Sequence, residues 1–206
     1  MWAVVVAAGS GERFGARKQY AALADRRVLD WSLAAARRST DGVVLVVPPD
    51  RAGDDEPVDA VVTGGATRSA SVRAGLAAVP PDAAVVVVHD AARPAASAAL
   101  FEAVIAAVRA GADGAVPGVP VVDTIKRVHD GRVVETLDRR ELVAVQTPQA
   151  FRASVLRAAH AGGGDATDDG ALVESAGGRV VVVPGDPDNV KVTSRADLDR
   201  LAAVVA

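Results

Sequence analysis

The residue pattern predicts an α/β fold built on a mainly parallel sheet. Short Val-rich runs alternate with Ala-, Leu- and Arg-rich segments along the whole chain, the order that packs helices on a parallel sheet through right-handed crossovers. The Val-rich runs are continuously apolar rather than alternating in polarity, as strands buried on both faces are. The chain has 206 residues, 50% of them hydrophobic, and a net charge of −3. That suits a single domain over residues 1–206 with a sizeable core and excludes bulk disorder.

Taken in order, the strand-like runs are Trp2–Ala8, Val43–Val47, Ala60–Val62, Ala84–His89, Gly114–Pro117 and Arg179–Val183. The helix-like runs between them are Val28–Arg38, Ser69–Val79, Ser97–Arg109, Ala153–Ala161, Asp168–Ala176 and Ala196–Val204. The last opens on Ser194-Arg-Ala-Asp197, which resembles a capping box. Asp50–Pro57 reads as a polar loop and Gly162–Asp165 as a flexible connection. One stretch, about 119–141, breaks the rhythm. Two β-type runs, Val121–Val128 and Arg132–Leu137, flank an Asp130-Gly131 turn, which is a hairpin signal. A hairpin alone is marginal, so this one either packs on a second subunit or forms an antiparallel edge pair.

Composition removes several function classes. No cysteine is present, which excludes disulfides, Cys-ligated zinc, iron–sulfur clusters and thiol nucleophiles. Six aromatic residues and mild acidity argue against nucleic-acid binding. No apolar run reaches the ~18–20 residues of a membrane span, and the N-terminal run lacks a basic leader. The expected location is cytoplasmic.

Four constellations could carry chemistry. Ala7-Ala-Gly-Ser-Gly-Glu-Arg-Phe-Gly15 leaves the first strand, and glycines there let backbone N–H groups approach phosphates. The spacing is G-x-G-x-x-x-G, which is neither the dinucleotide fingerprint nor a P-loop, so a dehydrogenase is disfavoured. Arg13, Arg17 and Lys18 follow, as suits a triphosphate. His89-Asp-Ala-Ala-Arg-Pro94 lies at the carboxyl end of a strand, where open α/β sheets bind ligands. Asp90 there could hold Mg²⁺ and Arg93 could grip a phosphate. Asp123-Thr-Ile-Lys126 with Arg139 and Gln146–Phe151 form a third group, and Asp188–Thr193, with Lys191, a fourth. Singly, each is more often a turn, a salt bridge or a solvated charge. No G-x-S-x-G elbow is present, and His89, His129 and His160 lack zinc spacing.

The ordered set of these motifs, with Gly64-Gly65, Arg68-Ser-Ala-Ser71 and Thr167-Asp168, resembles the 2-C-methyl-D-erythritol 4-phosphate cytidylyltransferase family from residue 3 to about residue 201. The resemblance implies a Rossmann-like nucleotidyltransferase fold, Mg²⁺, and a homodimer joined through the hairpin arm. It implies transfer of the cytidylyl group of CTP to 2-C-methyl-D-erythritol 4-phosphate, releasing pyrophosphate. Arg13 and Lys18 would stabilise charge at the α-phosphate and leaving group. Ala7, Ala8, Gly9 and Gly11 would bind the nucleotide, Gly64, Gly65 and Ser71 would face the cytosine, and Asp90 would hold Mg²⁺. Arg139 and Lys191 would orient the acceptor phosphate, with Arg93, Thr124 and Thr167 lining its site. Thr124 and Arg139 would come from the partner's arm.

The chain departs from the family pattern in places. Lys18 follows Arg13 after a loop about two residues shorter than usual, with Arg17 where the family has Pro. Either Lys18 keeps its role through a tighter loop or Arg17 shares it. Ala66 stands where an acidic residue is common, and the connection Asp50–Asp59 is short. The length leaves no room for the fused cyclase domain that some relatives carry. Two further readings remain at this point: a sibling cytidylyltransferase acting on ribitol 5-phosphate, and a non-catalytic nucleotide-binding protein of the same fold.

Overall fold

A computed structural model describes residues 1–11 and 14–205. Among them, eight strands form one mixed sheet in the order β10-β7-β11-β6-β1-β4-β5, with β12 paired to β7. The strands are β1 (Trp2–Val6), β4 (Gly42–Val47), β5 (Ala60–Thr63), β6 (Val85–Asp90), β7 (Gly114–Pro120), β10 (Val143–Val145), β11 (Gln149–Arg152) and β12 (Val180–Pro184). Two small ribbons stand apart: β2 (Ala22–Leu23) with β3 (Arg26–Arg27), and β8 (Lys126–His129) with β9 (Arg132–Thr136). The helices are α1 (Val28–Ser39), α2 (Arg68–Ala78), α3 (Ala98–Arg109), α4 (Ala153–Ala161), α5 (Asp169–Ser175) and α6 (Arg195–Val205).

The parallel core is as the Val-rich runs predict. β1 pairs in parallel with both β4 and β6, β4 with β5, and β12 with β7. Every residue of β4 and β6 is buried, because one face of the sheet packs on α1 and α3 and the other on α2 and α4. The two faces alternate along each strand. Ala3 and Val5 thus join Leu33, Phe101 and Val104, while Val4 joins Val72, Leu76 and Leu156.

The helices begin where their caps dictate. Thr67, Ser97 and Asp168 accept from backbone N–H groups in the first turns of α2, α3 and α5, each cap contributing about 1 kcal/mol. Asp197 collects hydrogen bonds from the backbone and hydroxyls of Thr193 and Ser194. Burial opposes its ionisation, but those donors hold its carboxyl down to about 2.

Three differences from the sequence pattern matter. The first strand stops at Val6, so Ala7 and Ala8 already belong to the loop. β7 continues to Pro120, which leaves Val121–Ile125 outside any strand, and the arm pairs only Lys126–His129 with Arg132–Thr136. Asp130 and Gly131, with φ of 48° and 72°, are both left-handed, as a two-residue hairpin turn requires. Finally, β10 and β11 are antiparallel to their neighbours. The sequence pattern did not reveal them, because they are short and interrupted by Gln146-Thr147-Pro148.

Side chains of the arm remain uncovered by the described residues: Val128, Val133 and Val134 are each more than half exposed. Among the described residues no helix is long and apolar enough to cross a membrane.

Candidate active site

β1 lies between β4 and β6, and the chain leaves it first toward β4 and β5 before returning to β6. That reversal opens a crevice outside the carboxyl ends of the strands. Two adjoining cavities occupy it among the described residues, of about 610 and 250 Å³.

The larger cavity is walled on one side by the glycine loop. Ala8, Gly9, Gly11 and Lys18 line it, while Ala7 lies just behind, 2% exposed. The loop is tied from beneath by Gln19, whose buried amide donates to the carbonyls of Ala7 (2.5 Å) and Gly9 (3.0 Å). Gly11 has φ +73°, and a side chain there would meet the backbone of Ala16, so only glycine closes this turn. Lys18 opens a 3-10 turn, Lys18–Tyr20. Arg17, which could have shared its role, instead pairs with the Asp50 carboxylate and lines neither cavity. Arg13 lies outside the described residues.

The opposite wall is the turn between β5 and α2. Gly65 and Ser71 line the cavity and Gly64 stands behind them. The Ser71 hydroxyl accepts from the Gly65 N–H (3.2 Å) and donates to the Thr67 carbonyl (3.0 Å), which fixes the turn on the start of α2. A side chain on Gly64 would collide with Ala8 and with Ser71 Oγ. The two walls can approach this closely only because that position is glycine.

The cavities share a wall of Arg68, Asp90 and Lys191. Asp90 is the last residue of β6. Its Oδ2 accepts from Lys191 Nζ at 2.5 Å and its Oδ1 from Arg68 Nε at 3.2 Å. Burial alone would raise the Asp90 pKa, but the two cations hold the carboxyl far below the usual carboxylate range. Arg68 reaches back with Nη1 to the fully buried Asp169 (2.8 Å). Burial disfavours its charge, yet the two carboxylates raise its pKa further above the ordinary value. Asp169 in turn meets His160 Nε2 at 2.9 Å.

The smaller cavity adds Arg93 and Thr167 to that wall. Burial lowers the Arg93 pKa, which the charge of Asp90 only partly offsets. Arg93 Nη1 donates to the Asn189 carbonyl at 2.7 Å. Thr124 and Arg139 line neither cavity. Both are exposed at the arm, where the Arg139 guanidinium donates to the Val122 carbonyl.

A polar brace positions the loop that carries Lys191. Gln146 bonds both the N–H and the carbonyl of Asp186, at 3.1 and 2.7 Å, and Asn189 Nδ2 donates to the Thr147 carbonyl at 2.9 Å. The Thr147 hydroxyl accepts from the Asp90 N–H (3.0 Å) and lies 3.1 Å from His89 Nδ1. Burial pushes the His89 pKa down to about 4, and His89 is fully buried and lines neither cavity, so it is a core residue. The motif Gln146–Phe151 thus braces the site, and its Gln146, Thr147 and Gln149 also line the smaller cavity. Arg68, Asp169, His160 and Gln19 are the site-shaping residues that sequence reasoning left without roles.

The arrangement sets Lys191 and Arg68 on one ionised carboxylate, with Arg93 in the smaller cavity and Lys18 in the wall of the larger, beside a loop of backbone polar groups. It suits a polyphosphate in the larger cavity and a second anion in the smaller.

Known proteins resemble the chain in sequence and in fold. The family IspD, 2-C-methyl-D-erythritol 4-phosphate cytidylyltransferase, matches residues 1–206. The chain is 48% identical over 221 residues to the bifunctional enzyme IspD/IspF of Anaeromyxobacter dehalogenans, covering 98% of this chain and 56% of that one. It is 44% identical over 227 residues to the 2-C-methyl-D-erythritol 4-phosphate cytidylyltransferase of Streptomyces coelicolor, covering 99% and 84%. The crystal structure of the Thermus thermophilus 2-C-methyl-D-erythritol 4-phosphate cytidylyltransferase superimposes with a TM-score of 0.83 at 33% identity, covering 98% and 97%. The chain spans about half the length of the bifunctional relatives it matches. By sequence and fold together, the chain belongs to the 2-C-methyl-D-erythritol 4-phosphate cytidylyltransferase family.

Proposed function

We propose that this chain transfers the cytidylyl group of CTP to 2-C-methyl-D-erythritol 4-phosphate, giving 4-diphosphocytidyl-2-C-methyl-D-erythritol and pyrophosphate. The observation that carries the reading is the wall shared by the two cavities. A nucleotide triphosphate in the larger and a phosphate monoester in the smaller would meet across Asp90 and Lys191. Family membership supplies the identity of both.

The acceptor phosphate is already largely dianionic at pH 7, since its second pKa is about 6, so no general base is needed. The barrier is the approach of one anion to another, and it is lowered by positioning and by cations. Lys18 and Arg13 would neutralise charge on the α-phosphate and on the departing pyrophosphate. Lys191, within reach of both cavities, would leave Asp90 for the acceptor phosphate, with Arg93 and Thr167 holding the acceptor's other side. The backbone of Ala7, Ala8, Gly9 and Gly11 would carry the triphosphate. Gly64, Gly65 and Ser71 would present polar backbone and hydroxyl groups to the cytosine edge, rejecting uracil by leaving those groups unpaired.

Mg²⁺ fits the donor set in one way. Among the described residues no three His, Cys, Asp or Glu side chains gather as a metal cage. Asp90 would contribute a single carboxylate, and phosphate oxygens the rest, as is usual for Mg²⁺. When bound, the ion supplies charge neutralisation across the phosphates. A homodimer completes the reading. The exposed arm would reach a partner subunit and bring Thr124 and Arg139 to its acceptor site, accounting for two residues that line neither of the two cavities among the described residues.

The test is a pyrophosphate-release screen of CTP, UTP, ATP and GTP against methylerythritol phosphate, ribitol 5-phosphate and related polyol phosphates. Release with CTP and methylerythritol phosphate is expected. Release only with a different acceptor refutes the substrate, and release with none refutes the activity.

A further inference from the structure

Asp90 is held by two cations of different kinds. Lys191 sits on a loop with its side chain 39% exposed. Arg68 stands in the first turn of α2 with its side chain 22% exposed, and it is anchored at its far end by Asp169, whose side chain is 0% exposed. Asp169 is fixed at the start of α5 and is held on its other oxygen by the buried His160. Two carboxylates therefore flank one guanidinium, and with Lys191 the four charges balance.

From this geometry we infer that Asp169 is a positioning residue which, through Arg68, sets the orientation and available negative charge of the Asp90 carboxylate toward the divalent cation that accompanies the nucleotide. The inference rests on the nucleotide-transfer reading above. Its physical basis is the sharing of Arg68. A guanidinium committed to Asp90 alone would neutralise that carboxylate. Shared with Asp169, it steers Asp90 while the cluster of four charges stays neutral with Lys191 in place. Without the Asp169 charge the cluster would be net positive and would repel a divalent cation from the wall common to both cavities. The same contact ties α2 to α5. Thr67 donates to Asp165 at 2.7 Å, Arg73 to the Gly164 carbonyl at 2.8 Å, and the Ala166 N–H to Ser69 Oγ at 3.3 Å. The nucleotide-side turn and the loop bearing Thr167 are thus stapled around this one ion pair.

Asp169→Asn separates charge from structure. The carbonyl oxygen of the substituted side chain can still accept from Arg68. Its amide can donate to His160 Nε2 if the imidazole proton sits on Nδ1, which has no partner among the described residues. Both hydrogen bonds of the side chain are then kept and its charge is lost, at the cost of a buried Nδ1–H on His160 without a partner among the described residues. Calorimetric titration of CTP into the enzyme, at graded Mg²⁺ concentrations and in EDTA, reads the effect. One unit charge acting on a divalent cation from several ångströms away predicts a rise of about tenfold in half-saturating Mg²⁺, with CTP binding in EDTA moving less than about threefold. A half-saturation within about twofold of wild type, in a variant with a wild-type circular-dichroism spectrum, overturns the inference. If Asp169→Asn does not fold, Arg68→Lys carries the test, since an ammonium cannot bridge the two carboxylates in the same fork. It should raise half-saturating Mg²⁺ at least about fivefold, and an unchanged value overturns the inference. Wild-type enzyme that binds no CTP with Mg²⁺ would instead refute the nucleotide-transfer reading itself.

Discussion

Replacing Lys191 with Met should separate catalysis from stability. The ammonium touches Asp90 Oδ2 at 2.5 Å, but the side chain is 39% exposed. Asp90 keeps its second partner, Arg68, at 3.2 Å. The loop is anchored independently, by the buried Asn189 and Val192 and by the Val192 N–H bonded to the Ala92 carbonyl at 2.8 Å. The pair is open only on the Lys191 side, the Asp90 side chain being 11% exposed. Removing the ammonium therefore leaves a buried carboxylate with Arg68 alone and costs about 1–3 kcal/mol, a fall of up to about ten degrees in melting temperature. Loss of a preorganised charge at a transition state typically costs about 10²–10³ in rate, or roughly 3–4 kcal/mol. The expected result is a fall of that size in kcat/KM for the acceptor phosphate, with the CTP dissociation constant changed less than about fivefold. Continuous pyrophosphate detection gives the first quantity and calorimetry the second. A variant within about fivefold of wild type in kcat/KM would refute the role of Lys191. A comparable loss in CTP binding would show that Lys191 serves the nucleotide side and not the acceptor side.

Three other outcomes follow from the same structure. Gly64→Ala places a methyl against Ala8 and 2.8 Å from Ser71 Oγ. Overpacking of this kind costs about 1–3 kcal/mol, so thermal melting should detect it together with a raised KM for CTP, whereas an unchanged KM would mean that this wall does not touch the nucleotide. The buried His89, its pKa pushed down to about 4, stays neutral when folded and protonates near 6.5 when unfolded. Its contribution is therefore complete above pH 6.5 and is lost between pH 6.5 and 4, by about 3 kcal/mol. Urea titrations across that range should show this slope in the wild type and a shallower one in His89→Asn. Val134→Asp, at a side chain 58% exposed on the arm, should shift a dimer toward monomer in sedimentation velocity and lower activity with it. A monomeric wild type with full activity would remove the partner's Thr124 and Arg139 from the site.

What was legible in the sequence divides along physical lines. The parallel half of the sheet was readable because strands buried on both faces must be apolar throughout, and β4 and most of β6 are. β11 was not, since its Gln149 is polar yet 1% exposed, its amide donating to Asp168 at 2.8 Å and to the Gln146 carbonyl. Asp168 is nineteen residues away, a distance with no local signature. The glycine loop, Asp90 and Lys191 were readable as motifs at strand ends. Arg68 was not, because an arginine opening a helix reads as a solvated charge. Only the fold brings it to Asp90 and to Asp169, which lies 101 residues on. The placement of Lys18 in the cavity wall and of Arg17 against Asp50 likewise has no local signature in the sequence.

The most direct test of the central claim, that the acceptor phosphate attacks across the wall shared by the two cavities, follows oxygen atoms. Methylerythritol phosphate labelled with ¹⁸O on its phosphate should be incubated with CTP and Mg²⁺ and the products read by phosphorus NMR. The label should appear in the diphosphate of the cytidylyl product, including its bridge, with none in the released pyrophosphate. Label in pyrophosphate, or CMP released without a diphosphate product, would contradict the account.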